Sequence, residues 1–243
     1  MRKNVPTETT SEILEMMEGI KVAMNTLIAE KEWIDNETRK EAQLKLREML
    51  YYAGSRKWIQ NEQLLDKYHQ GLIFDREDSL DQMVTKIKKW KSDAEYRKLL
   101  RKVEGRVENF HDFPATLVNA FFSPRENLFE VEAGFLGPPH YYANYPKAIN
   151  YGAVGMTIGH EITHGFDPSG SKFDHAGKLR NWWSNATREK FDKLVQCVVD
   201  QYSNEPIVPD IGMNMNGDLT KGENVADLGG LKAAFRVFSA LIT

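Results

Sequence analysis

The chain has 243 residues, enough for one large domain or two small ones with a sizeable core, and its 41% apolar and 28% charged content is that of a globular protein rather than a disordered one. A formal charge of −3 excludes a net electrostatic pull toward nucleic acid or an anionic membrane surface, and a single cysteine, Cys197, excludes an internal disulfide. No run of about 18 apolar residues and no apolar leader at residues 1–10 stands in the sequence.

Taken in chain order, Thr10 or Ser11 can cap a first helix whose Ile13, Met16, Met17, Ile20, Met24, Leu27 and Ile28 recur at the three-and-four spacing of one buried face. The methionines among them read as core. A second helix is expected over 36–50, capped by Asp35 or Asn36 and turning Ala42, Leu46, Met49 and Leu50 inward. Further helices fit about 61–70 and 78–103. The basic run 86–91 lies among acids at helical spacing and reads as a solvated face. Beyond Phe113, prolines punctuate short extended runs. Strands are expected at 118–122 and 128–135, joined through 123–127, then helices at about 150–166 and 184–202 and a last one from near Thr220. Residues 167–181 and 203–219 read as loops. His140 and His175 read as loop residues.

The segment Gly159-His160-Glu161-Ile162-Thr163-His164-Gly165 carries the chemistry. On a helix, His160 and His164 stand one turn apart on one face and can close on one metal ion, while Val154, Ile158 and Ile162 form an apolar back. Glu161 flanks the front, where a carboxylate can take a proton from metal-bound water. Zinc needs a third protein ligand, and Glu223 in Glu223-Asn224-Val225-Ala226-Asp227 can supply it. Asp227, one turn on, can accept the free ring N–H of a ligating histidine. A competing reading makes Thr220-Lys221-Gly222-Glu223 a capping box, with Glu223 serving only its own helix.

The run from Asn150 to Asp167, the Trp182-Trp183 pair, Gly222 to Gly230, and Val118-Asn119-Ala120-Phe121-Phe122-Ser123-Pro124 resemble the catalytic region of the neprilysin and endothelin-converting enzyme family of zinc metallopeptidases. The resemblance implies an α+β, mainly helical fold: a thermolysin-like (gluzincin) core with a small sheet, preceded by a helical region. It divides the chain into 1–113, resembling the end of the family's N-terminal domain, and a catalytic domain at 114–243. It also implies one Zn2+ per chain held by His160, His164 and Glu223, with Glu161 as general base. Asp227 would act either as a proton donor or, as its spacing favours, as an orienting group. Asn119 and Ala120 would lie on an edge strand along which substrate extends.

The activity so implied is hydrolysis of short peptides on the amino side of bulky apolar residues, by an extracellular or cell-surface enzyme. Short peptides are then the expected partners, with no nucleic acid and no membrane contact from this segment. The family continues beyond this helix with an oxyanion-binding histidine, a substrate-binding arginine and a cysteine that pairs with the position of Cys197. Metal binding with weak or absent peptidase activity is therefore expected of these 243 residues alone. Pro168-Ser169 departs from the acidic-amide pair usual in the family, and Asn36-Glu37-Thr38 and Asn185-Ala186-Thr187 are glycosylation sequons. Two alternatives remain: a catalytically inactive zinc-binding relative, and a helical interaction module.

Overall fold

In the computed structural model, residues 6–54, 61–100, 102, 116–204 and 206–242 are described. The first helix, α1 (Thr7–Ala29), starts a turn earlier than expected, directly after Pro6 and without a side-chain cap. Its stripe is buried as its periodicity requires: Ile13, Met17 and Ile20 are fully inaccessible to solvent. Helix α2 (Asn36–Arg47) is capped by Asp35, whose carboxylate accepts from the N–H groups of Glu37 and Thr38.

The expected helix over 36–50 stops short. Residues 50–53 instead form strand β1 (Leu50–Ala53), parallel to β3 (Leu128–Val131), which pairs antiparallel with β2 (Ala120–Ser123). Tyr51 and Tyr52 suit a pleated surface, and pairing with a wholly buried strand overrides the helical phase of Leu50. The order is β1-β3-β2, so β2 is an edge among the described residues. In the β2–β3 connection Asn127 adopts φ 48°, and its side-chain amide donates to the carbonyls of Lys45 and His175.

Past a short 3-10 turn, α5 (Lys147–Asn150) runs through one π turn (Tyr151–Gly155) into α6 (Met156–His164). Val154, Ile158 and Ile162, all fully buried, join α1 and the sheet in one core with Phe129 and Val131. Helix α7 (Asn185–Asn204) follows, then a small hairpin of β4 (Pro206–Val208) and β5 (Met213–Asn214) where a loop was expected, and finally α8 (Gly217–Ile242). This is the mainly helical α+β architecture with a small sheet.

The chain forms two compact units, Met1–Gly54 with Phe113–Thr243, and Ser55–Asp112. Residues 1–54 therefore group with 113–243 and not with the segment between them, because the buried face of α1 belongs to the same core as α6 and β3. The second unit contains α3 (Glu62–Tyr68) and α4 (Leu80–Lys98), the latter opened by a capping box between Ser79 and Gln82. Within it Trp90 stacks on His69 and donates to the Gln70 carbonyl, while Lys86 and Lys89 pair with Asp75, Asp78 and Asp93. The basic run is thus a charge-balanced helix face.

Candidate metal centre

The site depends on how closely α6 and α8 approach. A Cβ on Gly159 would lie 2.7 Å from the Gly230 carbonyl oxygen, and one on Gly229 would lie 2.5 Å from Thr163 Oγ1. Glycine at 159 lets the two backbones touch, and glycine at 229 leaves room for the side chain of Thr163. Ala226 and Ala233, both fully buried, extend the small-residue face of α8. This packing sets Glu223 and Asp227 beside the histidine-bearing face of α6.

Glu223 Oε2 lies 3.3 Å from His160 Nε2 and 3.5 Å from His164 Nε2, and the three donor atoms form the metal-competent cluster of the described residues. Four ligands at the 2.0–2.1 Å typical of zinc, in a tetrahedron, stand about 3.3–3.4 Å from one another, so this donor set has the spacing and the nitrogen-oxygen chemistry that zinc requires. The outer ring nitrogens are also taken up. His160 Nδ1 is 2.8 Å from Asp227 Oδ1, and His164 Nδ1 is 2.7 Å from Asp167 Oδ2. A ring that gives its Nδ1–H to a carboxylate keeps the Nε2 lone pair for a metal.

Helix α8 starts at Gly217, where Asn216 Oδ1 accepts from Leu219 N, and Glu223 is a turn and a half inside it. The capping-box reading of Glu223 is thereby overturned: the first-turn N–H groups are served upstream, and the Glu223 carboxylate faces α6.

Glu161 is 5% exposed and lies against the same cleft. Burial pushes its carboxyl up to about 7, the charge of Glu223 adds to this, and His164 opposes it. For His164, burial works against the charged form, but the hydrogen bond that its Nδ1–H donates to Asp167 and the carboxylates of Glu161, Asp167 and Glu223 outweigh it and raise the imidazole above its usual value.

The cleft, about 620 Å³, is bounded on one side by Asn119, Ala120, Phe121 and Phe122 and on the other by His160, Glu161, His164 and Glu223. Asn119 O accepts from Glu132 N, so the ladder of the edge strand β2 is prolonged to Asn119. Asn119 is exposed and Ala120 is buried. Six of the seven residues singled out from the sequence line this cleft, and the seventh, Asp227, stands behind it on the Nδ1 of His160. The structure adds Asp167, to which the sequence reading gave no role, although an acid three residues after a helical histidine is a readable signal. Pro168 has no N–H, and Asp167 Oδ1 accepts instead from the N–H groups of Ser169 and Gly170.

The sequence profile of peptidase family M13 matches residues 119–242. Neprilysin-1 of Caenorhabditis elegans is 39% identical over 242 residues, covering 100% of this chain and 32% of that protein. Among solved structures, PEPO from Lactobacillus rhamnosis superposes with a TM-score of 0.84 at 30% identity, covering 98% of this chain and 35% of that one. The zinc metalloprotease ZMP1 of Mycobacterium tuberculosis, in complex with an inhibitor, gives 0.82 at 28% identity, covering 96% and 35%. The chain belongs to peptidase family M13, the zinc metallopeptidases that include neprilysin and endothelin-converting enzyme. It spans about a third of the length of the relatives it matches.

Proposed function

We propose that this chain carries the zinc centre and part of the substrate cleft of a metalloendopeptidase that hydrolyses short peptides on the amino side of bulky apolar residues. The observation that carries this reading is the convergence of His160 Nε2, His164 Nε2 and Glu223 Oε2 at the separations of a tetrahedral ligand set. His160, His164 and Glu223 would hold one zinc ion, which supplies Lewis-acid polarisation of the scissile carbonyl and of the attacking water.

Glu161, alongside, takes the proton of the attacking water and delivers it to the leaving amine. Asp227 and Asp167 fix the rings of His160 and His164. A peptide lying along Asn119 and Ala120 pairs its backbone with the open edge of β2, which satisfies its N–H and C=O groups and leaves its side chains to be sorted by the cleft, with Phe121 and Phe122 in its wall.

Among the described residues lining the cleft there is no histidine beyond His160 and His164, and no arginine. Loss of one oxyanion donor typically lowers turnover by about 10²–10³, so these 243 residues alone are expected to bind metal and to turn peptide over slowly. The 1–113 and 114–243 division remains our proposal for the family's domain boundary.

An extracellular or cell-surface setting is supported by a human relative 33% identical, membrane metallo-endopeptidase-like 1, and by the exposure of Asn36 and Asn185 in the two sequons. No helix of the described residues is long and apolar enough to cross a membrane.

The test is zinc content and cleavage of a short apolar peptide by the wild-type chain and by Glu161→Gln. One zinc per chain in both, with cleavage only in the wild type, is expected; a chain that retains no zinc after dialysis against it overturns the reading.

A further inference from the structure

Helix α2 sends one side chain into the turn that follows the histidine helix. Lys45 is fully buried, and its ammonium donates to the carbonyls of Gly170 at 2.7 Å and Phe173 at 2.6 Å while lying over the rings of Phe166 and Trp182. A buried ammonium is tolerated only where its donors are met, and these two acceptors belong to the turn that follows the histidine helix.

That turn is fixed from its other side as well. Gly170 N donates to Asp167 Oδ1, and the turn folds so tightly over the end of α6 that a Cβ on Gly170 would fall 1.8 Å from the His164 carbonyl oxygen. Asp167 Oδ2 in turn receives His164 Nδ1. A continuous chain of contacts therefore runs from Lys45 through Gly170 and Asp167 to His164. The backbone of Lys45 is itself held by the side-chain amide of Asn127, so the ammonium has a fixed origin in the sheet connection.

We propose that Lys45 is a positioning residue of the metal centre: it clamps the 167–173 turn so that Asp167 presents its carboxylate to His164 and holds that ring in its ligating orientation. The proposal rests on the zinc reading given above. It also gives residues 36–47 a part in the site although none of them lines the cleft.

Position and charge make opposite predictions. Removing a positive charge near a divalent site strengthens cation binding, whereas releasing the turn weakens it. With Co2+ as the probe, Lys45→Met is expected to weaken binding about tenfold, at the lower end of what outer-shell changes cost, and to alter the visible d–d bands. Lys45→Arg, which keeps charge and donors, is expected to restore most of the loss. In an Asp167→Ala background, Lys45→Met is expected to add less than about twofold, because the carboxylate that the turn presents to His164 is already gone.

Unchanged Co2+ affinity in Lys45→Met, or a loss fully additive with Asp167→Ala, overturns the proposal while leaving the zinc reading intact. A wild-type chain that takes up no Co2+ overturns both. Should Lys45→Met fail to fold, the wild type supplies the test: if Lys45 biases the metal site, metal binding must act back on Lys45. The Lys45 15Nζ resonance is then expected to shift, with slower proton exchange, on Zn2+ loading, and an unmoved resonance overturns the proposal.

Discussion

Gly159 on α6 and Gly230 on α8 meet backbone to backbone: a Cβ on Gly230 would stand 2.5 Å from His160 N and 2.7 Å from Met156 O. Neither atom is the end of a flexible side chain, so a methyl group here must push the helices apart. Gly230→Ala is expected to destabilise the chain by about 1–3 kcal/mol, the usual range for overpacking. It should also weaken Zn2+ binding, because Glu223 on α8 and the histidines on α6 are brought to 3.3–3.5 Å by this contact. Thermal melts with and without Zn2+ check both parts, and a variant with wild-type affinity would show that the close approach does not set the ligand geometry.

Asp35 ties the start of α2 to the start of α7. Its carboxylate caps α2 and accepts from the hydroxyls of Thr38, Ser184 and Thr187, and Ser184 Oγ in turn accepts from Thr187 N. The hydroxyls of Ser184 and then Thr187, with the Thr38 N–H, hold the Asp35 carboxyl well below the usual carboxylate range. The folded value lies below the unfolded one, near 3.9, so the stabilisation is complete above about pH 4 and is lost as pH falls through the folded value. Asp35→Asn is expected to cost about 1–2 kcal/mol at pH 7, in the range of a lost cap, with the gap from wild type closing below pH 4. Urea unfolding at pH 7 and at pH 3 measures it, and a gap that widens on acidification would refute the sign.

Much of this was legible in sequence, and what was not has physical reasons. The stripe of α1, the His160–His164 face and the apolar back of α6 follow from helical period alone. Strand β1 was hidden because Leu50 is in phase with Leu46, and its partner β3 lies some 75 residues later in the chain. Lys45 was not singled out because a lysine on a charged helix carries no mark of burial; only the return of the 170–173 turn covers it. Asp167 acquires its part by the same turn. The start of α8 was misplaced because Thr220 and Glu223 imitate a cap, while the side chain that serves the first turn is that of Asn216.

Metal removal separates ligand from base. A ligand that binds only the folded state raises stability by RT ln(1 + [L]/Kd), about 2.7 kcal/mol at a hundredfold excess over Kd. A chelator is therefore expected to lower the wild-type melting temperature, and zinc to restore it. If Glu223 is one of three protein ligands, as proposed, Glu223→Ala should show neither response. Glu161→Gln should respond as the wild type does while cleaving no peptide. Calorimetric scans with chelator, then with added zinc, check this; a zinc response that survives Glu223→Ala would remove Glu223 from the ligand set.

Asp227 separates orientation from proton donation. Its Oδ1 is 2.8 Å from His160 Nδ1, and its side chain is about half exposed, facing the ring and not the bottom of the cleft. If it orients His160, the hydrogen bond matters more than the charge. Asparagine in its place can still accept the Nδ1–H through its amide oxygen, and alanine cannot. Asp227→Ala is then expected to weaken Zn2+ binding about 10- to 100-fold, the range for outer-shell partners of metal-bound histidines, and Asp227→Asn to weaken it distinctly less. A proton donor gives the opposite pattern: metal affinity stays near that of the wild type in both variants, and kcat falls equally in both because neither side chain carries an exchangeable acid. Competition with a chromophoric chelator, read beside kcat for a short peptide, distinguishes the two, and equal affinities across wild type, Asn and Ala with kcat lowered alike in both variants would assign Asp227 to proton donation.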